Sequence, residues 1–425
     1  MALLDRFLKY VEIDTTSDSS KCNNPTSSGQ IYLAEELYEE LKELNIDDIY
    51  VDEENCYIYA LIKGDKSIPS VGFVAHMDTS EDAPGKNIKP RIINEYDGKD
   101  IKLNDNVSLK VHDNPDLKNF VGKTLITTDG NTLLGADDKA GIAEIMEMLE
   151  YFSKNECKHG DIFVCFTPDE EIGLGTQNLD LKHFYPDVAY TVDGSALGEL
   201  SYENFNAATA NIDINGLNYH PGLAKGRMIN AVRLATVINE LLPNEIPENT
   251  DGYDGFYHLQ KIDGNITNAS MQYIIRDFDR NHFEERKQIL KTIVDKLNEK
   301  YGNVVSLEIK DTYYNMFDAI KDKSIIDISK EAMNDIGITP IITPVRGGTD
   351  GADISYKGIP CPDIGAGGHN FHSIYEYVCL EDMEQIKDLL ISIVNTYAKD
   401  KNKELIKKWE FLIFFVLLNI QYIFC

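Results

Sequence analysis

The sequence predicts an α/β protein with a mostly parallel central sheet, plus a smaller α+β block inserted into it. Three observations carry this. Short apolar runs at 71–76 (VGFVAH), 161–166 (DIFVCF) and 188–192 (VAYTV) alternate with helical patterns such as 140–153 (AGIAEIMEMLEYFS). Continuously apolar strands separated by helices indicate a buried, largely parallel sheet. Between 207 and 316 the rhythm changes to alternating, half-exposed strands and a charged helix. At 425 residues the chain also exceeds one ordinary core, so two domains are expected.

Taken in order, residues 2–15 read as an amphipathic helix. Residues 29–45 read as a second, with Ile31, Leu33, Leu37, Leu41 and Leu44 on one stripe, Gly29 before it and Asn45 as its stop. Residues 56–62 and 71–76 are strands. The stretch 81–132 is polar and irregular, a long excursion with hairpins. The helix 140–153 and the strands 161–166 and 188–192 follow. Then come a strand at 207–215, a helix at 228–241, a strand at 271–278, a helix at 281–300 and a strand at 303–309. This β-α-β-β-α-β-like block reads as a separate domain over 207–316. The α/β layer then comprises 1–206 and 317–400, resuming with a helix at 322–335, the glycine-rich RGGTDGAD, GIPCPDIGAGG, and a helix at 381–397.

The formal charge of −30 argues against nucleic-acid partners and anionic membrane surfaces. The cysteines, Cys22, Cys56, Cys157, Cys165, Cys361, Cys379 and Cys425, are scattered and contain no CxxC pair. Reduced packing residues are expected, not a disulfide framework or a thiolate zinc site. The first residues lack the basic and long apolar regions of a signal peptide, so a cytoplasmic protein is expected. Residues 401–425 form an atypical tail. Its apolar run, 409–425, is interrupted by Asn419 and Gln421 and is shorter than the roughly 20 residues that span a bilayer, so a packing segment is expected.

Five motifs deliver His, Asp or Glu in a fixed order: VGFVAHMDTS, LLGADDKAG, FTPDEEIG, TVDG and GGHNFH. Imidazole and carboxylate together suit divalent metals. His76 and Asp78 lie two apart at a strand end and share a face, so Asp78 can accept the second ring N–H of a ligating His76. Asp137 and Asp138 stand between a glycine turn and a helix start. Capping needs only one carboxylate, and Asp137 is the candidate bridge between two cations, with Lys139 as local charge compensation. Glu170 and Glu171 follow a buried strand; one can ligate while its neighbour takes a proton from water. Asp193 ends another strand, where an ordinary turn residue is the simpler reading. His369 and His372 compete in one glycine-rich loop, and composition does not choose between them. His220, before Pro-Gly, reads as a structural histidine. No GxSxG elbow, P-loop or dinucleotide fingerprint is present.

These stretches, with TLITTDGNTLLGADDKAGIAEIM, HGDIFVCFTPDEEIG, AYTVDGSALGELSYENFNAA, HPGLAKGRMINA, DGYDGFYHL, YIIRDFDR and RGGTDGA, resemble the M20 metallopeptidases, and within them the tripeptide-aminopeptidase branch. The likeness runs over roughly residues 1–400. It implies a zinc-peptidase-like catalytic domain and an inserted lid domain that pairs in a homodimer. It implies two zinc ions per subunit, with cobalt or manganese as possible substitutes. One would be held by His76, Asp137 and Asp193, the other by Asp137, Glu171 and His372. Glu170 would be the general base, Asp78 the residue that orients His76, and His220 an oxyanion donor reaching the other subunit's site. Asn230, Arg276 and Arg346 match positions that hold the substrate's carboxylate or backbone. The family often joins the bridging Asp to the next residue by a cis peptide. The implied activity is release of the first residue of tripeptides. Dipeptidases, carboxypeptidases and N-acyl amino-acid amidohydrolases of the same family share the ligands, and a non-catalytic, metal-stabilised binding dimer is the reading from another class.

Overall fold

The structure, a computed structural model, describes residues 1–21 and 23–399. The tail expected to pack through 409–425 lies outside the described residues, as do Cys22 and Cys425. The chain divides into two compact units. The first comprises Met1–Leu200, Asp322–Ile342 and the residues from Ile359 onward. The second comprises Ser201–Lys321 and Thr343–Gly358. The second unit therefore begins before 207 and takes in RGGTDGAD, which the sequence pattern had grouped with the α/β layer.

The first unit is built on an eight-stranded sheet. Its order is Asp48–Asp52, Tyr57–Ile62, Ile162–Thr167, Val71–His76, Val188–Val192, Asp363–Ile364, Glu199–Ser201 and Ile341–Ile342. Val71–His76 pairs in parallel with both Ile162–Thr167 and Val188–Val192. Every residue of Val71–His76 and of Ile162–Thr167 is buried, as two-sided cover by helices requires. Tyr57–Ile62 instead pairs antiparallel with both Ile162–Thr167 and Asp48–Asp52, the latter a strand absent from the sequence expectation. The sheet is thus mixed, with a parallel centre. The helix Ala136–Lys154 packs on Val71–His76, with Leu3–Val11 and Leu380–Lys399 against it. It also lies close to the neighbouring strand: a Cβ at Gly141 would stand 2.0 Å from the Val192 carbonyl oxygen. Only glycine permits that approach, which brings the Asp138 end of the helix beside Asp193.

The excursion 81–132 has a small core of its own, including Tyr96, Ile101, Leu103, Leu109, Leu117 and Phe120. One of its strands, Leu125–Thr127, pairs with Tyr377–Cys379. This pairing ties the two loops that carry Asp137 and His372 to one short sheet.

The second unit is a four-stranded antiparallel sheet in the order Phe256–Gly264, Asn268–Asp277, Asn206–Asn215, Val305–Tyr313. Alternate residues Ala208, Ala210, Ile212 and Ile214 are buried against Leu234 and Ile238 of one helix and Leu290 and Val294 of another. The second of these helices, Arg280–Tyr301, buries Phe283, Leu290, Ile293, Val294 and Leu297, a stripe at helical spacing. No helix among the described residues is long and apolar enough to cross a membrane. None of the described cysteines is in a disulfide.

Candidate metal centre

Three of the acidic or histidine motifs of the first unit sit where an apolar strand stops. His76 closes Val71–His76, Glu170 and Glu171 form a short turn after Ile162–Thr167, and Asp193 follows Val188–Val192. Parallel strands end at the same edge, so His76 and Asp193, more than a hundred residues apart, meet there. Asp137 joins them from the first turn of its helix. The helix is interrupted there: Asp137 has φ −87°, ψ 102° and Asp138 has φ −121°, ψ 34°, both outside the helical range. The Asp137–Asp138 peptide is cis.

The side chains converge closely. His76 Nε2 lies 2.8 Å from Asp137 Oδ1 and 3.9 Å from Asp193 Oδ2. His372 Nε2 lies 3.3 Å from Asp137 Oδ2 and 2.9 Å from Glu171 Oε2. Ligand atoms of His76, Asp137 and Glu171 fall within 4.8 Å of one another, and so do those of His76, Glu170 and Asp193. Glu171 Oε1 is buried without a hydrogen-bond partner, an expensive state for a carboxylate unless a cation meets it.

The electrostatics follow from the crowding. Burial would lower the His76 imidazole, but hydrogen bonds to Asp137 and Asp78 outweigh it and hold it well above its ordinary range. His372, hydrogen-bonded to Asp137 and Glu171, is pushed up to about 11. Asp137 is buried, yet His372 and His76 hold it below the usual carboxylate range. Asp193 is pushed up to about 7 by burial and by the charge of Asp137. Glu171 is raised by burial, against the pull of His372. Three carboxylates are therefore crowded against two imidazoles and compete for them. Divalent cations would relieve that competition, and this donor set fits them.

Supporting residues surround the ligands. His76 Nδ1 lies 3.1 Å from the Asp78 carbonyl oxygen and 3.3 Å from Asp78 Oδ1. The same carboxylate accepts the backbone N–H groups of Glu170 at 3.0 Å and Glu171 at 3.2 Å, a second task the sequence did not reveal. Asp138 accepts the N–H of His76 at 3.2 Å. Asp169, at φ 50°, accepts from the Thr26 N–H at 2.8 Å and from Gln30 Nε2 at 2.7 Å, pinning the acidic turn to the start of the helix Ser28–Glu43. Lys139 is fully buried and donates to the Ile13 carbonyl at 2.7 Å. Burial pushes it down to about 7. Glu376 accepts four consecutive backbone N–H groups, those of Leu134, Gly135, Ala136 and Asp137. No motif marks Glu376, because its partners lie some 240 residues away.

His369 lies apart from the cluster's contacts. Its ring stacks on Tyr377 at 4.8 Å between centroids, and burial lowers its basicity.

The remaining candidates belong to the second unit. His220 is exposed, and its Nδ1 accepts the Gly222 N–H at 3.2 Å, which places the proton of the neutral ring on Nε2. Asn230 caps the helix Ala231–Leu241 by accepting from Arg233 N at 3.1 Å. Arg276 donates to the Arg346 carbonyl at 2.8 Å, and its Nε is buried without a partner. Arg346 donates to the carbonyls of Gly252 at 2.6 Å and Asp254 at 3.1 Å. Among the described residues both arginines lie over aromatic rings, Arg276 over Phe256 and Tyr313 and Arg346 over Phe205 and Phe256, and neither has a carboxylate ion pair.

The model of peptidase family M20/M25/M40 matches residues 125–396. A peptidase T of Caldanaerobacter subterraneus subsp. tengcongensis is 50% identical over 405 residues, covering 93% of this chain and 99% of that protein. The chain belongs to peptidase family M20. Within it, the identity to the peptidase T relative places it in that group, and the M20 assignment makes it a peptide-bond hydrolase. Two solved structures share the fold. The aminopeptidase PepT of Bacillus cereus superposes with a TM-score of 0.77 at 21% identity, covering 93% of this chain and 98% of that one. A tripeptidase of Staphylococcus aureus superposes at 0.75 and 20% identity, covering 94% and 98%. The strand-end cluster of this M20 peptidase is its candidate metal centre.

Proposed function

We propose that this M20 peptidase is a tripeptide aminopeptidase that works with two divalent cations, zinc in the first instance. The observation that carries the two-cation reading is the division of Asp137 between two histidines: one of its oxygens faces His76 and the other faces His372. A carboxylate so divided is suited to bridging. His76, Asp137 and Asp193 would hold one cation, and Asp137, Glu171 and His372 the other. When bound, such a pair acidifies water and polarises a peptide carbonyl.

The chain's own residues supply the rest. Glu170, on a turn fixed by Asp78 and Asp169, takes the proton of the attacking water and returns it to the leaving amine. Asp78 keeps the His76 ring oriented through Nδ1. His220 carries its proton on Nε2, as an oxyanion donor must. The assignment of His220 to the oxyanion, and of Asn230, Arg276 and Arg346 to substrate carboxylate or backbone, rests on the family resemblance. For the arginines it is supported by the lack of a carboxylate partner. The tripeptide preference is supported by the 50% identity to a peptidase T. A cytoplasmic homodimer, paired through the second unit, completes the proposal.

Product analysis tests it. Zinc-loaded protein is offered unblocked di-, tri- and tetrapeptides together with an N-acetylated tripeptide. Loss of only the unblocked tripeptide, with release of its first residue, is expected. Hydrolysis of dipeptides or of the blocked peptide would move the chain to another M20 activity. Metal uptake without hydrolysis of any amide would favour a binding role.

A further inference from the structure

Outside the ligands, one buried acid contacts the backbone of the site more fully than any motif would suggest. Glu376 is 1% exposed. Its Oε2 accepts from Leu134 N at 2.6 Å and Gly135 N at 2.9 Å, and its Oε1 from Ala136 N at 2.7 Å and Asp137 N at 3.2 Å. Gly135, at φ 79°, curls the chain so that four successive N–H groups point at one carboxylate, the arrangement of an anion nest. Those amides open the helix Ala136–Lys154 and would otherwise lack acceptors. Glu376 is itself fixed. Its N–H donates to the Ser373 carbonyl at 3.3 Å, Thr128 Oγ1 donates to the Ile374 carbonyl at 2.9 Å, and the adjoining Tyr377 pairs with Thr127. The carboxylate thus joins the segment ending in Asp137 to the loop that carries His372, four residues before it.

We propose that Glu376 is a positioning residue of the metal centre, holding segment 134–137 so that the Asp137 carboxylate stands between His76 and His372. The inference rests on the metal-centre reading above. The geometry favours a role beyond satisfying four amides. A glutamine carbonyl could serve only those facing one oxygen, and its NH2 would meet the others as a competing donor. The last of the four amides belongs to Asp137 itself, so a shift of this clamp moves the backbone of the shared ligand directly.

The test uses the full chain loaded with cobalt(II), whose visible absorption reports coordination geometry, and a chelator titration that reports affinity. Glu376→Gln is expected to lower metal affinity at least about tenfold, the range seen when supporting partners of metal ligands are lost. Its cobalt spectrum should be altered at a temperature where the metal-free variant is still folded, and kcat should fall with KM little changed. Ser329→Ala is the control. It removes a buried hydroxyl bonded to the Ile325 carbonyl at 2.6 Å and to Tyr190 Oη at 3.2 Å, outside the cluster's contacts, and should lower Tm with an unaltered spectrum. Should Glu376→Gln not fold, Glu376→Asp keeps the charge but withdraws the oxygens by one methylene, and the same loss of affinity is expected. A wild-type spectrum and affinity in the folded Glu376 variants would overturn the inference and leave the metal reading standing. So would affinity loss in Ser329→Ala that tracks its loss of Tm. Failure of the wild type to take up cobalt would sink both.

Discussion

The Asp78 carboxylate accepts the backbone N–H of Glu170 at 3.0 Å while lying 3.3 Å from His76 Nδ1. One acid thus contacts a ligand, whose Nδ1 also meets the Asp78 carbonyl oxygen at 3.1 Å, and fixes the turn that carries the proposed base. Asp78→Asn keeps the size but places an NH2 group where one of two backbone N–H groups wants an acceptor, beside the His76 ring. We expect kcat or metal affinity to fall about 10–100-fold. Steady-state kinetics with metal content measured in parallel checks this, and unchanged values for both would remove Asp78 from the site.

Glu170→Ala should abolish turnover while the protein keeps its metal, because the ligand set His76, Asp137, Glu171, Asp193 and His372 is intact. Metal analysis beside a peptide-hydrolysis assay decides. Substantial residual activity in a metal-replete variant would rule out Glu170 as the base.

His220→Ala should lower kcat by a factor of roughly 10²–10³ if its Nε2 proton stabilises the oxyanion. The variant should fold normally, since His220 is exposed and its ring accepts one N–H in a short turn. A kcat equal to that of the wild type would return His220 to a structural role.

Chelation should destabilise the protein. Metal binding to the folded chain adds about 4 kcal/mol at a thousandfold excess over Kd, and it relieves the crowding of Asp137, Glu171 and Asp193. Thermal melts with and without chelator should differ by several degrees, and restoring zinc should reverse the change. Identical melts would argue against a tight metal site.

Glu144 gives a pH prediction remote from the reaction. Both of its carboxyl oxygens are buried without a hydrogen-bond partner. Burial, with the charge of Asp382 second, raises it well above the usual range. The folded chain therefore holds this proton at pH values where the unfolded chain, with a pKa of about 4.3, has released it. That contribution to stability is full below about pH 4.3 and is lost as pH rises toward the folded value. Glu144→Leu should remove this slope and stabilise the protein at pH 8 by about 1–3 kcal/mol, the cost of an unsatisfied buried polar group. Urea unfolding at pH 5 and pH 8 tests it; an unchanged difference between the two would refute it.

The sequence by itself determined the parallel strands and the acids at their ends. Apolar continuity reports burial, and a carboxylate or histidine placed where such a strand stops must lie at the sheet edge. It also marked three strands and both long helices of the second unit, because alternation and helical stripes are local properties of the chain; the strand Phe256–Gly264, mostly exposed, carries no such alternation and was not marked. Composition left open which histidine of GGHNFH faces Asp137; the family resemblance implied His372, and the tertiary structure supplies the physical reason. The strand Gly368–His369 pairs with Tyr377–Cys379 and stacks His369 on Tyr377, while His372, at φ 57°, turns toward Asp137 and Glu171. The second task of Asp78 and the nest around Glu376 were decided by the tertiary structure alone. Each depends on backbone N–H groups, which every residue carries and no residue type announces, brought to one carboxylate from some 90 and 240 residues away. The reach of RGGTDGAD into the second unit was hidden for the same reason: glycine-rich backbone has no period, and its place is set by partners such as Arg276, which donates to the Arg346 carbonyl at 2.8 Å.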